Sequence, residues 1–234
     1  MTLKRLALLA ALVAASGCAT PPDYFHTLRP LNSPGPSAPR AAPRLLSIGP
    51  VTVPEELGRD EWVIRTGATG ARVYDHQLWT QGLAADVAQS LADYLNLSLM
   101  PEELWADAGP SGSGTGADLE HPAPLRLRVQ VLRLDSILAP KPAVTDQIRW
   151  TLECLPADAS QGPVEAGRYR EIRSAVYHAA WPAPEPDVGV QAPQQPFDQI
   201  ASAHSRALGD LAREVSTALR ASAAERARAC IGPH

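Results

Sequence analysis

Two segments in the second half of the chain alternate strictly between apolar and polar residues, and they dictate the architecture. Leu125, Leu127, Val129 and Val131 interleave with Arg126, Arg128 and Gln130. Val144, Asp146, Ile148, Trp150, Leu152 and Cys154 interleave with Thr145, Gln147, Arg149, Thr151 and Glu153. A period of two marks a strand buried on one side only, so each segment has one face that must be covered and a basic-polar face that need not be. The Pro140-Lys141-Pro142 turn between them predicts antiparallel neighbours. Two amphipathic helices supply the cover. Leu83, Val87, Leu91 and Leu95 recur every fourth residue beside Ala84 and Ala88, behind Thr80 as a candidate cap and ending near Ser98, ahead of Pro101. Ile200, His204, Leu208, Leu211, Val215 and Leu219 form a second stripe, in a helix predicted to begin at Phe197 or Asp198. The expected fold class is α/β (α+β): a single domain with a mixed, mostly antiparallel sheet and two main helices packed on one face.

Further strands are predicted over Arg44 to Pro54, in a hairpin joining Trp62–Thr66 to Arg72–His76 through Gly67-Ala68-Thr69-Gly70, and over Arg168 to Ala179, where alternation is less clean. Flexible loops are expected at 30–43, 109–118 and 182–196. The glycine-rich run Gly109 to Gly116 lacks the Lys-Ser/Thr pair and following helix of a phosphate-cradling loop, so it is read as a linker. Between Pro21 and Pro43 seven prolines make an extended spacer, interrupted by the strand-forming island Tyr24, Phe25, His26, Thr27 and Leu28. If the island joins a sheet, the free tether before it is about four residues; if not, the whole spacer could extend to roughly 75 Å.

The N-terminus sets the compartment. Lys4 and Arg5 precede an apolar run from Leu6 to Ala15, too short to span a bilayer, and then Ala15, Ser16, Gly17 and Cys18. This resembles the lipobox of bacterial lipoproteins: a signal peptide at 1–17, cleaved before Cys18, which is then acylated on its sulfur and amine. The alternative is an ordinary secretory signal cut nearby, with Cys18 a chance thiol. Residues 18–23 then form a lipidated N-terminus and short tether, and Ala19, rather than Asp, after the cysteine favours the outer membrane, on its periplasmic face. Two or more acyl chains anchor stably without crossing the membrane.

No constellation points to catalysis. The six histidines are never three or four residues apart, and HExxH, CxxC, GxSxG and dinucleotide-type glycine fingerprints are all missing, so neither a metal nor another cofactor is expected. The pairs Glu55-Glu56 and Glu102-Glu103 read as solvated loop charge, and His204 as a packed, hydrogen-bonded residue. A net charge of −4, and −6 once Lys4 and Arg5 are removed, argues against a nucleic-acid partner. Arg206, Arg213 and Arg220 share a helix face with interleaved Asp210 and Glu214 and read as solvated, whereas Arg126, Arg128 and Arg149 on an open sheet face are the candidate partner-contact surface. Cys154 and Cys230 remain as a candidate disulfide in an oxidising compartment, the alternative being a buried Cys154 and a free Cys230 in the tail.

The order of these features resembles the ABC-type transport auxiliary lipoproteins, including their PqiC branch. The matching stretches are the lipobox cysteine with PPDYFHTL, LLSIGPVTVPEEL, EWVIRTGATGARVYDHQLWTQGLAADVAQSLADYL, RLRVQVLRLDS, QIRWTLE and FDQIASAHSRALGDLAREVSTAL. Gln81 and Gly82 depart from the acidic residue and proline that family members commonly carry after the tryptophan. The resemblance implies a domain over 24–230 in which the YFHTL island is a strand. It also implies a non-catalytic role beside an ABC transporter and a periplasmic MCE-domain protein that move phospholipids or other hydrophobic compounds between the two membranes, and a homo-oligomeric ring. The alternatives are a stand-alone lipid-binding or chaperone lipoprotein and, third, a hydrolase, which would need a buried Ser or Asp beside a His in the fold.

Overall fold

The computed structural model describes residues 21–30, 44–99, 104–108, 125–137, 143–154, 170–180 and 195–221. In chain order the strands are β1 (Tyr24–His26), β2 (Arg44–Thr52), β3 (Glu61–Arg65), β4 (Ala71–Trp79), β5 (Leu104–Asp107), β6 (Leu125–Ile137), β7 (Ala143–Cys154) and β8 (Arg170–Ala180). Helix α1 (Leu83–Ser98) follows β4, and α2 (Gln195–Ala221) follows β8.

β6 is the spine. Along one edge it pairs antiparallel with β7 over its whole length, from Leu125↔Cys154 to Ile137↔Ala143, and β7 pairs antiparallel with β8. The other edge is shared. β2 lies parallel to the first half of β6 with β5 parallel outside it, while β3 meets β6 at Arg65↔Ile137 and leads through its hairpin partner β4 to β1. The sheet is therefore open and mixed, with eight strands, and its longest ladders are antiparallel. Between Val131 and Arg133 a bulge adds one residue to β6, after which Leu134 and Ser136 face the core in place of Arg133 and Asp135. That bulge is why the clean alternation stops at Val131.

Both predicted apolar stripes are buried, and α1 and α2 cover the same sheet face, α1 over β2 and β5 and α2 over β7 and β8. Among the described residues no helix is long and apolar enough to cross a membrane. Two local expectations differ from the outcome. Thr80 does not cap α1: its hydroxyl and amide both donate to the His26 carbonyl, at 2.9 and 3.0 Å, and the helix starts after Gly82 at φ 76°. Proline is confined to φ near −65°, so no proline could take this Gly82 conformation. α2 begins at Gln195, so Gln195 and Pro196 belong to its first turn, where the N–H that proline lacks has no intrahelical partner.

The YFHTL island is a strand. Tyr24, Phe25 and His26 pair parallel with Gln77, Leu78 and Trp79, and the residues that follow bond to both helices. Thr27 Oγ1 donates to Asp86 Oδ1 on α1 at 3.1 Å, and Arg29 Nε donates to Asp93 Oδ2 at 2.8 Å. The Leu28 carbonyl accepts from Ser205 Oγ on α2 at 2.7 Å, and Tyr94 OH of α1 lies 2.7 Å from the same hydroxyl. Leu28 itself is wholly buried. His26 lies against Trp62 (ring centroids 5.0 Å), which stacks on Trp79 at 4.3 Å and meets Phe197 edge-on at 5.7 Å. Its ring nitrogens reach Gln77 Oε1 at 2.7 Å and Asp198 Oδ1 at 3.2 Å.

Asp86 is the strained member of this strap. Burial raises its pKa to about 6 against the opposing pull of the Thr27 hydrogen bond and the Arg29 charge, and its Oδ2 is buried without a partner. Because the folded pKa lies above the ordinary 3.8, stability contributed by the protonated form is present at low pH and lost as pH rises through about 6. Asp86→Asn, which removes the charge and keeps an acceptor for Thr27, should therefore stabilise the protein at pH 7.5 by up to about 3 kcal/mol, or roughly 5–10 °C in Tm. At pH 4 the gain should vanish. A lower Tm for the variant at pH 7.5 would show that the strap needs the ionised carboxylate.

Candidate interaction surface

The helices leave the second face of the sheet uncovered, and the register decides which side chains it presents. Arg126, Arg128 and Arg149 do fall on this face together, with Arg126 opposite Glu153, Arg128 opposite Thr151 and Gln130 opposite Arg149. Arg128 Nε donates to Glu153 Oε1 at 2.6 Å, while Arg149 reaches Gln130 Oε1 and Ser174 Oγ at 3.5 and 3.4 Å. β8 continues the surface. Its register places Arg170, Ile172, Ser174, Val176 and His178 on the open side, opposite Glu153, Thr151, Arg149, Gln147 and Thr145. Ile172 is 54% and Val176 50% exposed.

β8 is thus inverted: its large aliphatic residues, Ile172 and Val176, face away from the helices, while Glu171, Arg173 and Tyr177 face toward them. On the helix side the Arg173 guanidinium sits 5.7 Å from the Trp150 ring and pairs with Glu171 at 2.5 Å. Tyr177 OH donates to Glu214 Oε2 at 2.9 Å, and Trp150 Nε1 donates to Glu214 Oε1 at 3.3 Å. Burial, then the hydrogen bond and charge of Glu214 and the charge of Asp210, push the Tyr177 hydroxyl well above its usual range, so it remains a donor at any physiological pH. Glu214 therefore fastens α2 to β7 and β8 from a position that sequence reading treats as surface charge. The poor alternation noted in this strand follows from mixed faces, with Arg170, Ser174 and His178 beside Ile172 and Val176 on one side and Ala175 and Tyr177 beside Glu171 and Arg173 on the other.

The fold also assembles a polar trio invisible in sequence. Asp146 on β7 faces α2, and its Oδ1 lies 2.7 Å from His204 Nδ1; His204 Nε2 lies 2.8 Å from Ser136 Oγ on β6. The connectivity matches a Ser-His-Asp hydrolase relay. This is the buried serine beside a histidine that the hydrolase alternative calls for, but all three members are sealed between sheet and helix, Ser136, His204 and Asp146 being 2%, 1% and 1% exposed. A nucleophile must meet its substrate, and this hydroxyl meets only the core. The trio satisfies a buried carboxylate and fixes α2 over β6 and β7, in line with the reading of His204 as packed and hydrogen-bonded.

Other candidates are simpler. Arg206, Arg213 and Arg220 are exposed on α2; Arg213 pairs with Asp210, and Arg220 Nη2 donates to the Ser98 carbonyl at 2.6 Å. Among the described residues no three His, Cys, Asp or Glu side chains are grouped to hold a metal. Cys18, Cys230, the loop 109–118 and the Glu102-Glu103 pair lie outside the described residues, and Cys154 closes β7 with its side chain outside them too. A fluorophosphonate probe should leave Ser136 of the native protein unlabelled. His204→Ala, which strands Asp146, should cost about 3–5 kcal/mol in urea denaturation. Labelling of Ser136 in folded protein would contradict a sealed trio.

Similarity to known proteins agrees with this architecture. Among solved structures, an uncharacterized protein is 16% identical with a TM-score of 0.54, covering 85% of this chain and 99% of its own. A protein from Xanthomonas campestris is 17% identical with a TM-score of 0.51, covering 88% of this chain and 98% of its own. At such identities these likenesses speak for the fold alone. No curated protein matches the sequence. The family model for the ABC-type transport auxiliary lipoprotein component matches residues 26–216, from the strap strand to the last turns of α2, and the chain belongs to that family.

Proposed function

We propose that this protein is a lipid-anchored, non-catalytic docking component of an ABC transport system. Acylated at Cys18, it sits on the periplasmic face of the outer membrane and receives a periplasmic MCE-domain protein that carries phospholipids or other hydrophobic compounds between the membranes. Family membership supports the auxiliary role in ABC-type transport. The inverted strand β8 is the observation that carries docking. Two aliphatic residues at least half exposed, Ile172 and Val176, stand beside Arg126, Arg128, Arg149 and Arg170 on a face that no described element covers. Apolar anchors ringed by arginine are the composition of a protein–protein contact, and here they suit an acidic partner surface. A homo-oligomeric ring would repeat the face and multiply weak contacts.

The test is recovery of partners from membranes solubilised in mild detergent. The wild-type protein should bring down an MCE-domain protein. Arg149→Glu and Ile172→Asp, both at exposed positions, should each reduce recovery about tenfold, equivalent to roughly 1.4 kcal/mol, while leaving Tm within a few degrees. Arg206→Glu on α2 should leave recovery unchanged. Failure to recover any MCE-domain protein would count against the docking role, and a lipid-loaded monomer in its place would favour a stand-alone lipid carrier.

A further inference from the structure

The sheet face opposite the helices, which no described element covers, carries a second apolar area at the opposite edge of the sheet. Phe25 pairs with Leu78, which pairs with Glu61, and Val63 pairs with Val73, so all five side chains lie on the side away from the core-facing Trp62 and Ile64. Phe25 is 64% and Val73 37% exposed. The chain has only two phenylalanines, and the other, Phe197, is buried in the aromatic cluster. What can cover Phe25 follows from the chain that precedes it. Pro21 is already a described residue, and only Ala19 and Thr20 separate it from Cys18. At about 3.5 Å per residue, Cys18 lies within roughly 11 Å of Pro21 and within about 25 Å of Phe25. The strap allows no retreat from this position, because the residues after Phe25 are bonded to both helices.

We propose that the outer face of the β1–β4–β3 edge is a membrane-contact surface, with Phe25 seated in the headgroup layer of the bilayer that carries the anchor. The inference rests on acylation of Cys18. The aromatic ring suits that layer, where amphipathic and aromatic side chains concentrate, and Leu78, Val63 and Val73 extend the contact. The surface bearing Ile172 lies five strands away, about 24 Å across the sheet, so membrane seating at one edge leaves the other free for a protein partner.

Photo-crosslinking of the acylated full-length protein in phosphatidylethanolamine–phosphatidylglycerol vesicles tests this. Benzoylphenylalanine replaces Phe25 in one sample and Ile172 in another, both being exposed positions where the fold is checked by Tm. Mass spectrometry first establishes that Cys18 is acylated and the protein vesicle-bound. Phospholipid adducts at position 25 should then exceed those at position 172 at least tenfold. An acylated, vesicle-bound protein whose position-25 probe gives no phospholipid adduct, or only protein–protein adducts, overturns the membrane-contact proposal and leaves the anchor standing. A chain without acyl groups that fails to float with vesicles overturns the proposal and the lipid-anchor reading together.

Discussion

The structure depends on the point at which the tether becomes part of the core. A lipid anchor holds a domain no more closely than the chain between them allows, and in this protein, if Cys18 carries the proposed anchor, that chain is fixed from β1 onward. Leu28 is sealed between elements that do not otherwise share residues with the N-terminus, its carbonyl held by Ser205, with Thr27 and Arg29 bonded on either side to α1. His26 adds a contact to α2 through Asp198 and one to β4 through Gln77. Loosening this strap would expose an aromatic cluster and take the Thr27 and Arg29 contacts from two buried carboxylates, Asp86 and Asp93, which is why the segment holds despite its short strand and the unfavourable burial of Asp86.

From that constraint the division of surfaces follows. The helices occupy one face of the sheet, so recognition must use the other face or the helix exteriors. β8 concentrates its aliphatic side chains outward and turns Arg173 and Tyr177 inward, where Trp150 and Glu214 satisfy them. An inversion of this kind works against solubility unless something meets the exposed residues. The proposed docking role gives it a purpose, and under the lipid-anchor proposal the strap limits how far that surface could move from the membrane.

Much of the architecture was legible because it rests on periodicity. Leu125 to Val131 and Val144 to Cys154 announced a half-buried pair, and the four-residue spacing of α1 announced its stripe; all proved right. The basic face of Arg126, Arg128 and Arg149 was legible for the same reason. Parallel pairings such as β2 with β6 were not, since alternation reports which face is buried and not which strand lies alongside. The Ser136–His204–Asp146 trio could not be read because its members are joined only through a bulge in β6 and the docking of α2. Thr80 misled for a local reason: a threonine before a helix is a common cap, but here the β1 carbonyl competes for its hydroxyl and wins. The strand at Arg168 to Ala179 was legible, but the outward placement of Ile172 and Val176 was not, because each of its faces mixes polar and apolar residues and the alternation does not say which side is buried.

The central claim, that the segment just after the anchor is an integral part of the folded domain, is tested most directly by native-state hydrogen exchange of the acylated protein. The account predicts that a peptide spanning Tyr24 to Arg29 exchanges as slowly as one from the middle of α1, Val87 to Leu95, because its amides open only when the core opens. Exchange of the 24–29 peptide as fast as that of the exposed hairpin turn at Thr66 to Gly70 would contradict it, and would make the tether long and the domain free to move away from the membrane.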